Sequence, residues 1–205
     1  MKRREVLILG LGGLVLAALV VSGIDPHDRL TWWMEVLPAM VALVLVGATR
    51  QRFPLTELVL VLIAVHALIL IVGGAYSYAR VPLGFWLQDV FGFERNPYDR
   101  IGHLAQGFVP AMIARELLIR LRVLARSGAW LFFLVCCICL AISALYELIE
   151  WQAAVLMGQG ATEFLGTQGD PWDTQADMAL ALLGAMLAQA LLSRWHDRQL
   201  QAVTG

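Results

Sequence analysis

The chain has 205 residues, 60% of them hydrophobic and only 15% charged, with a formal net charge of −1 and a mean hydropathy of +0.72. A soluble domain carries about 25% charged residues and less apolar material. The apolar excess falls in long blocks, the pattern of a polytopic membrane protein, and no basic run or long tail suits nucleic acid or a second domain.

The first block, Val6 to Ile24, follows "MKRRE". The basic start, with Ser22 and Gly23 near the block's end, also fits a signal peptide. Its length and the further blocks behind it favour an uncleaved first span, 6–24. The second span is predicted over 32–48, with Pro38 inside it and Arg50 and Arg52 after it, and the third over 55–74. The connection from Tyr76 to Pro97 contains "VPLGFWLQDVFGFERNP", with Phe85, Trp86, Phe91 and Phe93 among few charges. It reads equally well as a short interfacial segment between the third and fourth spans or as an extended loop. The fourth span is predicted over 98–121; its uncharged core, Ile101 to Ala114, is short for lipid exposure, so a bundle must bury it. The fifth, 129–151, holds Cys136, Cys137 and Cys139 without metal-site spacing. Neighbouring residues on a helix point apart, so these are packed or lipid-facing thiols rather than a disulfide. The sixth is predicted over 173–192. Each span must supply roughly 20 residues to cross about 30 Å, and the blocks are too long and too uniformly apolar for strands. The expected fold is an all-α membrane protein, a six-transmembrane-helix bundle in a single polytopic domain over 1–205.

Six spans put both termini on one side. That side collects Lys2, Arg3, Arg4, Arg50, Arg52, Arg115, Arg120, Arg122, Arg126, Arg194 and Arg198, 11 of the 15 Lys and Arg, and leaves Arg29, Arg80, Arg95 and Arg100 on the other. Lys and Arg accumulate in cytoplasmic loops, so both termini are expected in the cytoplasm.

The polar residues then converge on the outer ends of three spans. The fourth opens with "YDRIGH", the fifth closes with "SALYELIEWQ" and the sixth opens with "GDPWDTQADMALALLGA". Asp99 and His103 are i, i+4, with Gln106 continuing the stripe. Glu147 and Glu150 are i, i+3, with Ser143 one turn below, and Asp173 and Asp177 are i, i+4, with Gly184 two turns below. Each pair keeps one helical face. Small Gly184 and Ala188 let the sixth helix approach its neighbours closely.

Carboxylates gathered at one depth repel, and their burial is costly without compensation. A divalent cation, held by hard oxygen ligands and one imidazole, is one compensation. Arginine from Arg80, Arg95 or Arg100 is a second, and protonation of the carboxyls is a third. The candidate metal ligands are Asp99, His103, Glu147, Asp173 and Asp177. Asp99 and Asp173 also suit helix capping, and Glu150 beside Trp151 suits the interface. Elsewhere, His66 lies mid-span as a proton-relay or bonded core histidine. Glu35 lies near Trp32 and Trp33 as a site or interface residue. Glu57 and Glu116 are expected as surface ion pairs on the cytoplasmic side, and His27 and His196 in a loop and a tail.

On "NPYDRIGHLAQGFVPA", "ARELLIR", "SALYELIEWQAA" and "FLGTQGDPWDTQADMALALLGA", the chain resembles the YjdF family of bacterial inner-membrane proteins. The resemblance implies location and topology rather than a reaction. A more distant likeness is to the VanZ-like membrane proteins, associated with glycopeptide-antibiotic tolerance. Their Asp-x-x-x-His, Glu-then-Gln and Asp-before-Gly pattern is matched in order by Asp99 with His103, Glu147 or Glu150 with Gln152, and Asp177 with Gly184. The second glutamate and the "GDPWD" loop depart from it.

The leading expectation is a divalent-metal site at the periplasmic face of the inner membrane, acting on a lipid-linked or envelope substrate. Hydrolysis there would use Glu150 as the catalytic base. No nucleophile motif selects one reaction. A proton- or ion-coupled transporter and a non-catalytic membrane scaffold are the alternatives.

Overall fold

A computed structural model describes residues 3–124, 128–157 and 168–204. Among them are seven helices and no strand: α1 (Arg3–Ser22), α2 (Arg29–Thr49), α3 (Glu57–Tyr76), α4 (Pro82–Phe91), α5 (Tyr98–Arg120), α6 (Ala129–Met157) and α7 (Asp173–Thr204). Five of them, α1, α2, α3, α6 and α7, are long and apolar enough to cross a membrane.

Local chemistry sets the helix ends. Asp28 caps α2, its carboxylate accepting the Thr31 N–H at 2.7 Å, and Thr56 caps α3. The hydrogen bond holds the Asp28 carboxyl below its usual range. Ser77 ends α3 in the left-handed region at φ 55°, its N–H returning to the Gly73 carbonyl. The α4 helix occupies the aromatic connection and is bounded by Pro82 and by Gly92 at φ 67°. It leaves Leu83, Phe85, Trp86, Val90 and Phe91 exposed.

Five helices surround or flank α5. It packs against α3, α6 and α7, while α1 and α2 pack on the other side of α3. That position explains how a helix carrying Asp99, Arg100, His103, Arg115, Glu116 and Arg120 belongs to so apolar a chain: its polar face meets protein rather than lipid. The α5–α7 contact is closest. A methyl group at Gly107 would overlap the Ala181 carbonyl, and one at Gly184 would overlap Leu104 and Phe108 backbone. Small residues there let two backbones touch. One apolar cluster joins α1, α2 and α3 through Val15, Trp32, Val36 and Ile71. The other joins α3, α5, α6 and α7 through Val59, Met112, Val135 and Ala185. Cys136 and Cys139 pack in the interior, Cys137 is exposed, and all three are free.

The start of α1 and the last turns of α7 lie at one end of the bundle, where Arg3 pairs with Glu57 at 3.3 Å, Arg4 reaches the Leu55 carbonyl and Gln199 accepts from the Leu58 N–H. Two expectations fail at this end. Glu116 is wholly buried rather than paired at the surface, and His196 is wholly buried rather than in a free tail, because α7 continues as helix to Thr204. Glu116 accepts from Thr56 N and Oγ1, from Arg120 Nη1 at 2.8 Å and from His196 Nε2 at 3.0 Å. Arg115 Nη1 donates to His196 Nδ1 at 2.8 Å. Guanidinium cannot accept, so Nδ1 is the acceptor and Nε2 carries the proton given to Glu116. Every charged group in this network has a partner. Glu57 matches its expectation, since its ion pair with Arg3 is exposed.

Candidate metal centre

The opposite end holds the second polar cluster, and some of its buried oxygens have no hydrogen-bond partner. His103, buried on the first turns of α5, faces three carboxylates. Its Nε2 lies 3.5 Å from Asp99 Oδ1 and 3.9 Å from Asp177 Oδ2, and its Nδ1 lies 3.8 Å from Glu147 Oε1. The i, i+4 spacing stacks Asp99 over His103, and α7 brings Asp177 alongside at the close crossing. One ligand atom from each of Asp99, His103 and Asp177 lies within 4.8 Å of the other two.

Gln106, one turn below, sets the imidazole. Its Oε1 lies 3.1 Å from Nδ1, and an amide oxygen only accepts, so Nδ1 carries a proton. In the neutral ring, Nε2 then presents its lone pair to Asp99 and Asp177. This is the arrangement that orients histidine ligands generally: one nitrogen tied to a protein acceptor, the other free for an ion. Asp177 Oδ1, Glu147 Oε1 and Ser143 Oγ are buried without a hydrogen-bond partner. The centre thus gathers three carboxylates around one imidazole.

The remaining residues sort by their neighbours. Asp173 is engaged by Arg95, which also lies 3.6 Å from Asp170, while Arg100 lies 3.3 Å from Asp170. Arginine thus compensates the rim, and the trio below it has none. Asp99 is not the cap of α5: Pro97 holds that position, and the Asp99 carboxylate turns to His103. Glu150 lines a cavity of about 260 Å³ between α2, α3, α5 and α6, together with Glu35, Asp99 and His103. Glu35 is therefore part of this layer rather than the interface.

Sequence reasoning missed two hydroxyls. Tyr146 reaches Glu35 Oε2 at 3.4 Å and the Met34 carbonyl at 3.5 Å. Pro38 lacks the N–H that would otherwise take that carbonyl. Tyr78 faces Glu35 from the loop after α3, and burial pushes its hydroxyl well above the usual tyrosine range, so it stays a donor. Tyr146 lies within "SALYELIEWQ" one residue before Glu147, a signal that could have found it. Tyr78 has no such motif.

A helical bundle with apolar outer faces and a buried acid–histidine layer defines a multi-pass α-helical membrane protein. The chain belongs to the family described as "Predicted membrane protein (DUF2238)", whose model matches residues 7–198. It is similar to the Inner membrane protein YjdF of Escherichia coli (strain K12), 55% identical over 196 residues that cover 95% of this chain and 93% of the relative. No solved structure matches. The family resemblance read from the motifs is thus correct, and the inner membrane is its location. The VanZ likeness rests on the motifs alone.

Proposed function

We propose that this inner-membrane protein holds a divalent cation on Asp99, His103 and Asp177, with Glu147 and Asp173 adjacent, at the periplasmic side of a six-span bundle. In this reading α5 is the fourth span and completes the six, α4 lies in the outer interface, and both termini are cytoplasmic. The observation that carries the reading is His103 Nε2 set between the Asp99 and Asp177 carboxylates, with an Asp177 oxygen buried and unpartnered. A cation meets that demand, and a proton on Nε2 is the competing answer. When bound, the cation supplies positive charge and activates water. Glu150, unengaged by arginine on the cavity wall, is the base for that water, and a lipid-linked or envelope compound is the substrate.

Elemental analysis of the purified protein, with melting in the presence of chelator and then Mn²⁺, tests this. A cation that binds only the folded bundle stabilises it by about 2.7 kcal/mol at a hundredfold excess over its dissociation constant. His103→Ala and Asp177→Asn should abolish the shift, and His66→Ala should keep it. No bound metal and no shift would leave the imidazolium ion pair, and with it the scaffold reading. The orientation is tested by labelling Gln168→Cys in a cysteine-free background: reaction only after cells are opened refutes it.

An ion-coupled transporter is the second reading. Pro38 in α2 and Pro110 in α5 both line the cavity, and each proline releases the carbonyl four residues earlier from its helical bond, although neither helix is broken. Uptake into proteoliposomes driven by a proton or cation gradient would favour it.

A further inference from the structure

The cavity below the candidate metal centre changes character with depth. Its upper end is lined by Glu35, Tyr78, Asp99, His103, Tyr146 and Glu150. Its lower end is lined by Ala42, Ile63, Val109, Ile113 and Ile142. From Asp99 to Ile113 it follows α5 for about 21 Å, reaching the middle of a bilayer.

Its side wall is incomplete. α2 packs on α3, and α6 packs on α5 and α7, but α2 and α6 do not pack along their lengths. Among the described residues, Tyr146 supplies the hydrogen bonds that join α2 to α6, and they sit at the polar end. Below Tyr146 the rim is Ile142, 40% exposed. The lower half therefore opens toward lipid, while the upper half is closed by the Tyr146 contacts. One polar atom interrupts the apolar half: His66 Nε2 is buried with no partner. A pure hydrocarbon would leave it so, whereas an ester oxygen would meet it.

We propose that this cavity takes one acyl chain of an ester-linked membrane amphiphile, which enters between α2 and α6 with its head in the Glu35–Asp99–His103–Glu150 layer. The position of the head rests on the cation reading, because an anionic head needs a cation among these carboxylates. The position of the chain does not rest on it. A water-soluble polar substrate has no use for an apolar well that faces the bilayer. A second cavity, of about 400 Å³ between α1, α2 and α3, is the internal contrast: Leu9, Leu43 and Val46 line it, and it has no acidic layer. Bulk lipid would fill that one without selection.

The probe is a lysophosphatidylglycerol with a diazirine at the chain terminus, at trace level in phosphatidylethanolamine–phosphatidylglycerol vesicles holding the full chain. After photolysis, adducts should map to Val109, Ile113 and Ile142, and excess unlabelled lysophosphatidylglycerol should compete them away. Ile142→Trp, at the exposed rim, should lower this capture at least fivefold, and His66→Leu should weaken it. Adducts spread equally over Leu9, Leu43 and Val46, or insensitive to competition and to Ile142→Trp, would overturn the proposal. The Mn²⁺ melting shift is measured on the same samples. A shift without capture removes the chain site and leaves the cation reading, while capture without a shift supports the chain site and removes the cation reading.

Discussion

Asn96 and Gln168, 72 residues apart, hold each other through two hydrogen bonds. The Asn96 N–H donates to Gln168 Oε1 at 3.2 Å, and Gln168 Nε2 donates to the Asn96 carbonyl at 3.0 Å. The buried Asn96 side chain also donates to the Val81 carbonyl and accepts from Tyr98 N. One residue thus joins the starts of α4 and α5 to the turn before α7. Gln168→Ala removes two bonds of modest net worth, so a loss of about 1–2 kcal/mol is expected in reversible unfolding from mixed micelles. Gln168→Glu should lose a similar amount, because a carboxylate cannot donate to the Asn96 carbonyl.

The α2 cap gives a pH signature. The Thr31 N–H holds the Asp28 carboxyl below its unfolded value, so its contribution is present above that value and lost as pH falls through the folded one. Asp28→Ala should cost about 1 kcal/mol at neutral pH, an ordinary cap value. The difference from wild type should shrink only in acid, below about pH 4, the unfolded Asp value. Asp28→Asn should stay close to wild type at neutral pH. Unfolding across pH 3 to 7 measures all three.

The two glutamates near the termini should behave oppositely. Glu116 is fully buried and bonded to Thr56, Arg120 and His196, so Glu116→Ala strands buried donors and should cost about 3–5 kcal/mol. Glu57 pairs with an Arg3 that is 88% exposed, so Glu57→Ala should change stability by about 0–1 kcal/mol. Comparable losses at both positions would contradict the burial difference.

At the helix crossing, Gly107→Ala forces a methyl against the Ala181 carbonyl. A loss of at least about 1–3 kcal/mol is expected, as for other overpacked cores. The Mn²⁺ melting shift should shrink as well, although no ligand has changed. Gly10 has open space around its Cα, so Gly10→Ala should be neutral or slightly stabilising.

Much of this architecture is legible in residue pattern. Five apolar blocks match five long helices because a lipid-facing helix needs apolar residues all round. α5 is legible only through its polar face, since tertiary burial rather than lipid decides its composition. The connection after α3 left a short interfacial segment and an extended loop equally open, and it contains the helix α4. The i, i+4 and i, i+3 pairs predict shared faces, and Asp99, Glu147 and Asp177 lie around His103, while Asp173 turns to Arg95. The partners of those faces are not legible. Glu116 sits among arginines in the sequence, which resembles a surface, and its burial depends on α7 running on past Leu192 to deliver His196. Arg95 was one of three arginines within reach of the acids, and only packing selects it for Asp173.

Gly107 lies one turn below His103, and Ala181 lies one turn below Asp177. Backbone touching backbone therefore sets how far apart the two ligand-bearing helices stand, with no side chain to yield. If the proposed cation sits between them, such walls would select it by radius. Ions that prefer oxygens at 2.0–2.1 Å and those that prefer 2.3–2.6 Å carry the same charge but do not fit the same gap. On the proposed cation reading the crossing would work as a calliper, and moving it by the width of a methyl group would change which ion fits.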